Sequence, residues 1–413
     1  MNVNPILNAL REGNPPEDGG ILERISACRE TLHDFLGEHY LDKYIRDGGS
    51  KVKFLIGPEG CGKTHQLLLL AHSAKQKGYL TAYIDARETK LQYIDALYKC
   101  IASSIDFDVL VTRYCEGVIR GLGYPPDSMP EDIKFMEWVT QPPQGRDLGT
   151  IKKDAQKELE KLFHNRRIDG SFATAFLQLC NNQLGIVSLS EENREVLLRW
   201  MKGDSALDSL RQLERLQIFT RIDRYNARNM LLSILEIARL VGLRGLLVCL
   251  DCVEDIVVGK KPETGRPKYA RAARDDAYEG FRELIDDVDS LERIMFIIAA
   301  RPELIEDDRN GIRSYDALWL RIQDEIVCEQ PNKFADLLHL DRVVSLSQAE
   351  LADLATRLLD LRLELSPDSD MPPIEASTLV VEVLSHPSLV SPLRRVVRAA
   401  MTSSYDKEGG NDE

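Results

Sequence analysis

Residues 57–64 read Gly57-Pro58-Glu59-Gly60-Cys61-Gly62-Lys63-Thr64 and fit G-x-x-x-x-G-K-[ST] at every position. These residue types at this spacing surround phosphate. Glycines let backbone N–H groups turn inward without a Cβ in the way. The helix that follows aims the positive end of its dipole at the anion. Lys63 would add a point charge at the β/γ-phosphates, and the Thr64 hydroxyl would ligate Mg²⁺. The expected phosphate contacts are Gly57, Pro58, Glu59, Gly60, Cys61, Gly62, Lys63, Thr64 and His65. A chance glycine-rich turn would lack the flanks seen here. KVKFLI before the loop reads as a strand, and HQLLLLAHSAKQ after it reads as an amphipathic helix.

A second acid-tipped strand, GLLVCLD over 245–251, supplies Asp251, expected to hold Mg²⁺ through its water shell. Hydrolysis then needs a carboxylate to polarise the attacking water, commonly the next residue. Here that residue is Cys252. A thiol is neutral near pH 7 unless perturbed, and it is a weak acceptor. Glu254 is the expected general base, and Asp255 is the other nearby carboxylate.

RIMFIIAARPEL over 293–304 reads as a further strand with Arg301 at its carboxyl end, where parallel sheets bind ligands. Arg301 is the expected sensor of the γ-phosphate. Arg321 is either an arginine finger for a neighbouring subunit or an ordinary helix-surface arginine. In SPLRRVVRAAM, Arg394 is favoured over Arg395 and Arg398 as the residue that closes a helical lid on the nucleotide. The segment 259–274, GKKPETGRPKYARAAR, sets Lys260, Lys261, Arg266, Lys268, Arg271 and Arg274 against Glu263. It is either a solvated loop or a DNA contact in which Tyr269 stacks on a base.

Five short apolar runs must carry these groups: Val52–Ile56, Leu80–Asp85, Gly245–Asp251, Ile294–Ala299 and Val343–Leu346. Continuous apolar strands separated by helical stretches are the pattern of a parallel α/β sheet. Ahead of them, residues 21–47 read as one helix. The gap over 87–240 is too long for a loop and reads as a helical insertion. Its joints are Gly123-Tyr124-Pro125-Pro126, Pro142-Pro143-Gln144-Gly145 and Gly203-Asp204, and its last helix is Ala227–Leu240. Beyond the fifth run, Ser347 and Glu350 form a capping box, and Pro372-Pro373 and Ser391-Pro392 start later helices. The polar tail SSYDKEGGNDE reads as disordered.

The chain therefore divides into four parts. Residues 1–86 hold N-terminal helices and the P-loop half of the core, and 87–240 the insertion. Residues 241–346 hold the acid and sensor half, and 347–413 a helical lid and tail. The fold class is α/β, a P-loop NTPase of the AAA+/ASCE type. The P-loop strand is expected at the centre, beside the Asp251 and sensor strands.

A net charge of -14 over 413 residues argues against general polyanion binding. Eight scattered cysteines form no disulfide framework, and the pair Cys249 and Cys252 is too few for a structural zinc site. The N-terminus lacks the form of a secretion signal, and no apolar run approaches spanning length. A cytoplasmic location without membrane contact is expected.

Together, NALREGNPPEDG, the P-loop unit, LLRWMKGD, LLSILEIARLVGLRGLLVCLDCVEDI, ARPELIEDDRNGIRSYDALWLRI and SPLRRVVR resemble the ATP-binding proteins of bacteriophage-exclusion (BREX) defence systems. The resemblance covers most of the chain. It implies ATP/ADP as ligand, Mg²⁺ as cofactor, phage defence, and partners such as a helicase or methyltransferase. The family usually carries an acid where this chain has Cys252. Two functions fit: a motor, loader or switch with slow turnover, for which a homo-oligomer is one expected state, and a nucleotide-bound scaffold that does not turn over.

Overall fold

A computed structural model describes residues 4–130, 132–142, 147–204, 210–323, 331–366, 375–388 and 390–402. Five parallel strands form one sheet: β1 Ser50–Ile56, β2 Leu80–Asp85, β3 Leu246–Asp251, β4 Ile294–Ala300 and β5 Leu337–His339. Their order is β2-β3-β4-β1-β5. The P-loop strand β1 is thus flanked by β4 and β5. Strand β4, which Arg301 follows, lies between β1 and the Asp251 strand β3, which corrects the expectation that β3 touches β1. β1 and β3 are thus not adjacent, and their carboxyl ends border the edge of the sheet where parallel α/β folds bind ligands.

The period-2 alternation of a strand sends alternate side chains to opposite faces. Phe54, Val248, Phe296 and Ile298 pack on one face with helix Arg271–Leu291 and the helices between β2 and β3. Leu55, Leu247, Cys249, Met295 and Ile297 pack on the other with the P-loop helix Lys63–Gln76 and the segment from Leu32 to Ile45. Every described element between β2 and β3 is helical. Phe172, Phe176 and Trp200 from this stretch belong to the same apolar cluster as the sheet. Its final helix is Ala227–Leu240.

Two elements differ from expectation. The run Val343–Leu346 is no strand: Leu340–Val343 is a helical turn, and the fifth strand is Leu337–His339 just before it. Val343 is apolar because it packs under the sheet, and Leu346 because it packs on the lid. Residues 21–47 are not one helix either. Gly19–Arg24 and His33–Leu36 are separate, with Cys28 between them at φ 49, and Gly37–Tyr44 continues as a π-helical stretch. A left-handed residue interrupts any right-handed helix.

The lid contains helices Gln348–Leu365, Ala376–Ser385 and Pro392–Thr402. Ser347 and Glu350 make the expected reciprocal cap. The lid is tied to the N-terminal segment. Arg24 makes a two-pronged pair with Glu364, and Arg357 donates to the carbonyls of Arg24 and Ser26. The joint at Pro143-Gln144-Gly145, the Pro372-Pro373 helix start and the tail from Ser403 lie outside the described residues.

Candidate phosphate and metal site

The loop from Gly57 to Gly62 connects β1 to helix Lys63–Gln76 at the carboxyl edge of the sheet. Gly60 and Gly62 adopt φ 78 and 99, so the loop requires residues without a Cβ at two points. Lys63 is buried, and its Nζ donates to the carbonyls of Gly57 (2.6 Å) and Pro58 (2.9 Å). The ammonium therefore sits inside the curve of the loop. Cys61 lies beside it, with Sγ 4.0 Å from Nζ, and burial raises its thiol pKa.

Asp251 ends β3 and is buried. Its Oδ2 accepts from the Thr64 hydroxyl at 2.7 Å and from the Tyr83 hydroxyl at 2.8 Å. Its Oδ1 accepts from the Cys252 N–H at 2.8 Å. A hydroxyl and a carboxylate at this spacing form a hard oxygen pair. That suits Mg²⁺, which takes few protein ligands and completes its shell with water and phosphate. No group of three or more His, Cys, Asp or Glu able to hold a metal occurs among the described residues.

Cys252 follows at φ 57, a left-handed conformation uncommon outside glycine. Burial, then the charge of Asp251, pushes its thiol up to about 12. It is a neutral S–H near pH 7 and cannot accept a proton from water. Glu254 lies on the next turn, mostly shielded from solvent, and is held by Arg301. Arg301 follows β4, which carries it to the same cleft. Arg301 also approaches Glu303, at 3.8 Å.

From the lid, Arg394 reaches back to the loop. It pairs with Glu59 and donates to the Glu12 carbonyl at 3.2 Å. Its side chain lies on Gly60, where a Cβ would stand 2.7 Å from the arginine Cβ. The His65 Nε2 lies 2.7 Å from the Ser26 hydroxyl. Burial holds it well below the ordinary histidine value, at about 4. A single cleft of about 1320 Å³ is lined by Glu59, Lys63, Thr64, Asp251, Glu254 and Arg394. Arg301 and Cys252 line it as well.

Two expectations for the basic segment fail here. Tyr269 cannot stack on a base: it is buried, and its hydroxyl donates to the Thr89 carbonyl and accepts from the Leu91 N–H. Its ring fills the core that an amphipathic aromatic can share with a polar edge. Lys268 is turned inward onto Asp255 at 2.6 Å, so it adds no free charge to the basic segment. Lys260, Lys261, Arg266 and Arg271 remain exposed. Arg321 makes a two-pronged pair with Asp286 of its own chain.

Tyr83 was not singled out by sequence reading. The signal available was its place two residues before the end of an acid-tipped strand, but its partner depends on β2 lying beside β3. Asp85 pairs with Arg87, which also lines the cleft. A Ser–His–Asp alignment occurs elsewhere: the His33 Nε2 lies 2.9 Å from the Ser73 hydroxyl, and its Nδ1 2.8 Å from Asp34. Ser73 and His33 are both buried, and neither lines the cleft, so a substrate has no route to that hydroxyl.

No helix among the described residues is long and apolar enough to cross a membrane. Comparisons with curated proteins and with solved structures returned no match. A family model described as BREX system ATP-binding protein BrxC/D matches residues 2–109 and 146–383. That span takes in the P-loop, Asp251, Cys252, Glu254, Arg301 and the first lid helix, and the chain belongs to the family of BREX system ATP-binding proteins BrxC/D.

Proposed function

We propose that this ATP-binding protein is a nucleotide-driven switch or loader in a DNA-linked anti-phage complex, with slow intrinsic hydrolysis. The supporting observation is the junction at Asp251: Thr64 from the P-loop helix meets the acid of β3 at 2.7 Å, with Glu254 and Arg301 on the same cleft. In this reading Lys63 and the loop N–H groups hold the phosphates. Thr64 and Asp251 hold Mg²⁺, which when bound would neutralise charge developing on the phosphates. Glu254 is the carboxylate that orients the attacking water, and Arg301 both holds it and faces the γ-phosphate.

The lid supplies the moving part. Arg394 joins α-helical lid, N-terminal helix and P-loop through Glu59 and the Glu12 carbonyl. A γ-phosphate competes with the Glu59 carboxylate for the same guanidinium. Exchange of partner would shift the lid together with the N-terminal segment bonded to it, and so change the surface offered to a helicase, a methyltransferase or a second copy.

A second reading is a nucleotide-locked scaffold, favoured by Cys252, whose neutral thiol stands where a catalytic acid is usual. Phosphate release by the purified protein, with and without single-stranded and duplex DNA, separates the two. Turnover stimulated by DNA supports the loader. Tight ATP binding with no release under either condition supports the scaffold.

A further inference from the structure

Asp251 is held by three donors, and the count of its lone pairs says more than the presence of the acid alone. Each carboxylate oxygen offers about two acceptor positions. Oδ2 spends both, one on the Thr64 hydroxyl and one on the Tyr83 hydroxyl. Oδ1 spends one, on the Cys252 N–H. A single position is left, on Oδ1, for the water of a bound metal.

We infer that Tyr83 is a positioning residue for the metal site: by saturating Oδ2 it fixes the Asp251 carboxylate so that Oδ1 alone meets the hydrated Mg²⁺. The placement is built into the sheet. β2 and β3 pair in parallel, with Tyr83 opposite Cys249 and Asp85 opposite Asp251. The long tyrosine side chain reaches forward along the strand direction to the next acid. Its ring lines the cleft beside Thr64 and Cys252. The contact joins the site to β2, a strand that contributes no residue to the P-loop or the acid motif. Groups that orient a metal's ligands change metal affinity by about 10- to 100-fold when removed.

This inference rests on the phosphate and metal reading given above, and the test separates the two. Affinity for a non-hydrolysable ATP analogue is measured by titration calorimetry in excess Mg²⁺ and again in EDTA, for the natural protein and for Tyr83→Phe. Tyr83→Phe removes one hydroxyl from a partly exposed ring, and thermal unfolding of both proteins verifies that the fold is kept. Mn²⁺ binding in the presence of the analogue, read by paramagnetic resonance, gives a second signal independent of turnover. The expected result is a loss of about tenfold in the Mg²⁺ condition and in Mn²⁺ affinity, with unchanged affinity in EDTA. Equal affinities of the two proteins in Mg²⁺ would overturn the role of Tyr83. An equal loss with and without Mg²⁺ would overturn it too, by making the hydroxyl structural. A natural protein that binds no tighter in Mg²⁺ than in EDTA would overturn the metal reading itself.

Discussion

Glu254 and Arg301 are joined twice: the Arg301 Nε donates to one carboxylate oxygen at 3.0 Å and its backbone N–H donates to the other at 3.1 Å. The two side chains therefore form one unit, carried to the cleft by neighbouring strands β3 and β4. In the proposed roles, a water oriented by Glu254 would lie beside a cation already fixed in place, so loss of either side chain would disturb both. Glu254→Gln is expected to lower phosphate release at least about tenfold, as removal of a general base does. Turnover left untouched would refute the assignment. In denaturant titrations, a double-mutant cycle with Arg301→Ala and Glu254→Gln should give a coupling of about 1 kcal/mol, the range for a partly shielded ion pair.

Lys63 donates to two carbonyls of its own loop, at 2.6 and 2.9 Å. Phosphate oxygens are stronger acceptors because they are charged. Lys63→Ala should weaken nucleotide affinity by about 10- to 100-fold, the equivalent of one or two charge-assisted hydrogen bonds. Fluorescence titration with a labelled ATP analogue reads this directly. Unchanged affinity would mean that the nucleotide does not use the loop.

These residues were legible in sequence for different reasons. The P-loop is local: its glycines, lysine and threonine are contiguous and act through their own backbone. Four of the five strands were legible because a strand buried on both faces is a continuous apolar run. β5 was not, because it has three residues and only Leu338 is buried among them. Tyr83 and the Arg394–Glu59 pair depend on which distant elements become neighbours, and no local pattern encodes that. Tyr269 misled because a tyrosine among lysines and arginines resembles a surface stacking residue, whereas its ring is needed in the core.

Acid should destabilise the protein partly through His65. Its folded value, about 4, lies below the ordinary 6.5 because burial disfavours the charged ring. The unfolded chain therefore takes up this proton first. Its contribution is complete above about pH 6.5 and is lost as pH falls toward 4. Because the ring retains some solvent contact, about 2 kcal/mol is expected across that window. His65→Gln should flatten the stability–pH curve between pH 6.5 and 4 relative to the natural protein. Parallel curves would show that the ring is accessible to protons in the fold.

The first lid helix depends on its cap. Ser347 accepts from the Glu350 N–H, while the Glu350 carboxylate accepts from the Ser347 N–H and hydroxyl and from the Cys28 thiol. Loss of such a cap costs about 1 kcal/mol. Ser347→Ala should lower hydrogen-exchange protection in Gln348–Leu365 by about that amount and leave the sheet unchanged. Uniform loss across both would mean that lid and sheet open as one.

In the proposed account Cys252 separates a turning from a locked nucleotide site, so the most direct measurement is steady-state phosphate release by the natural protein, Cys252→Glu and the blank Lys63→Ala. The predicted result is slow release by the natural protein, at least about tenfold faster release by Cys252→Glu as a carboxylate supplies general-base catalysis, and none by Lys63→Ala. Rapid release by the natural protein that Cys252→Glu fails to increase would contradict the account, since the neutral thiol would then set no limit on the reaction.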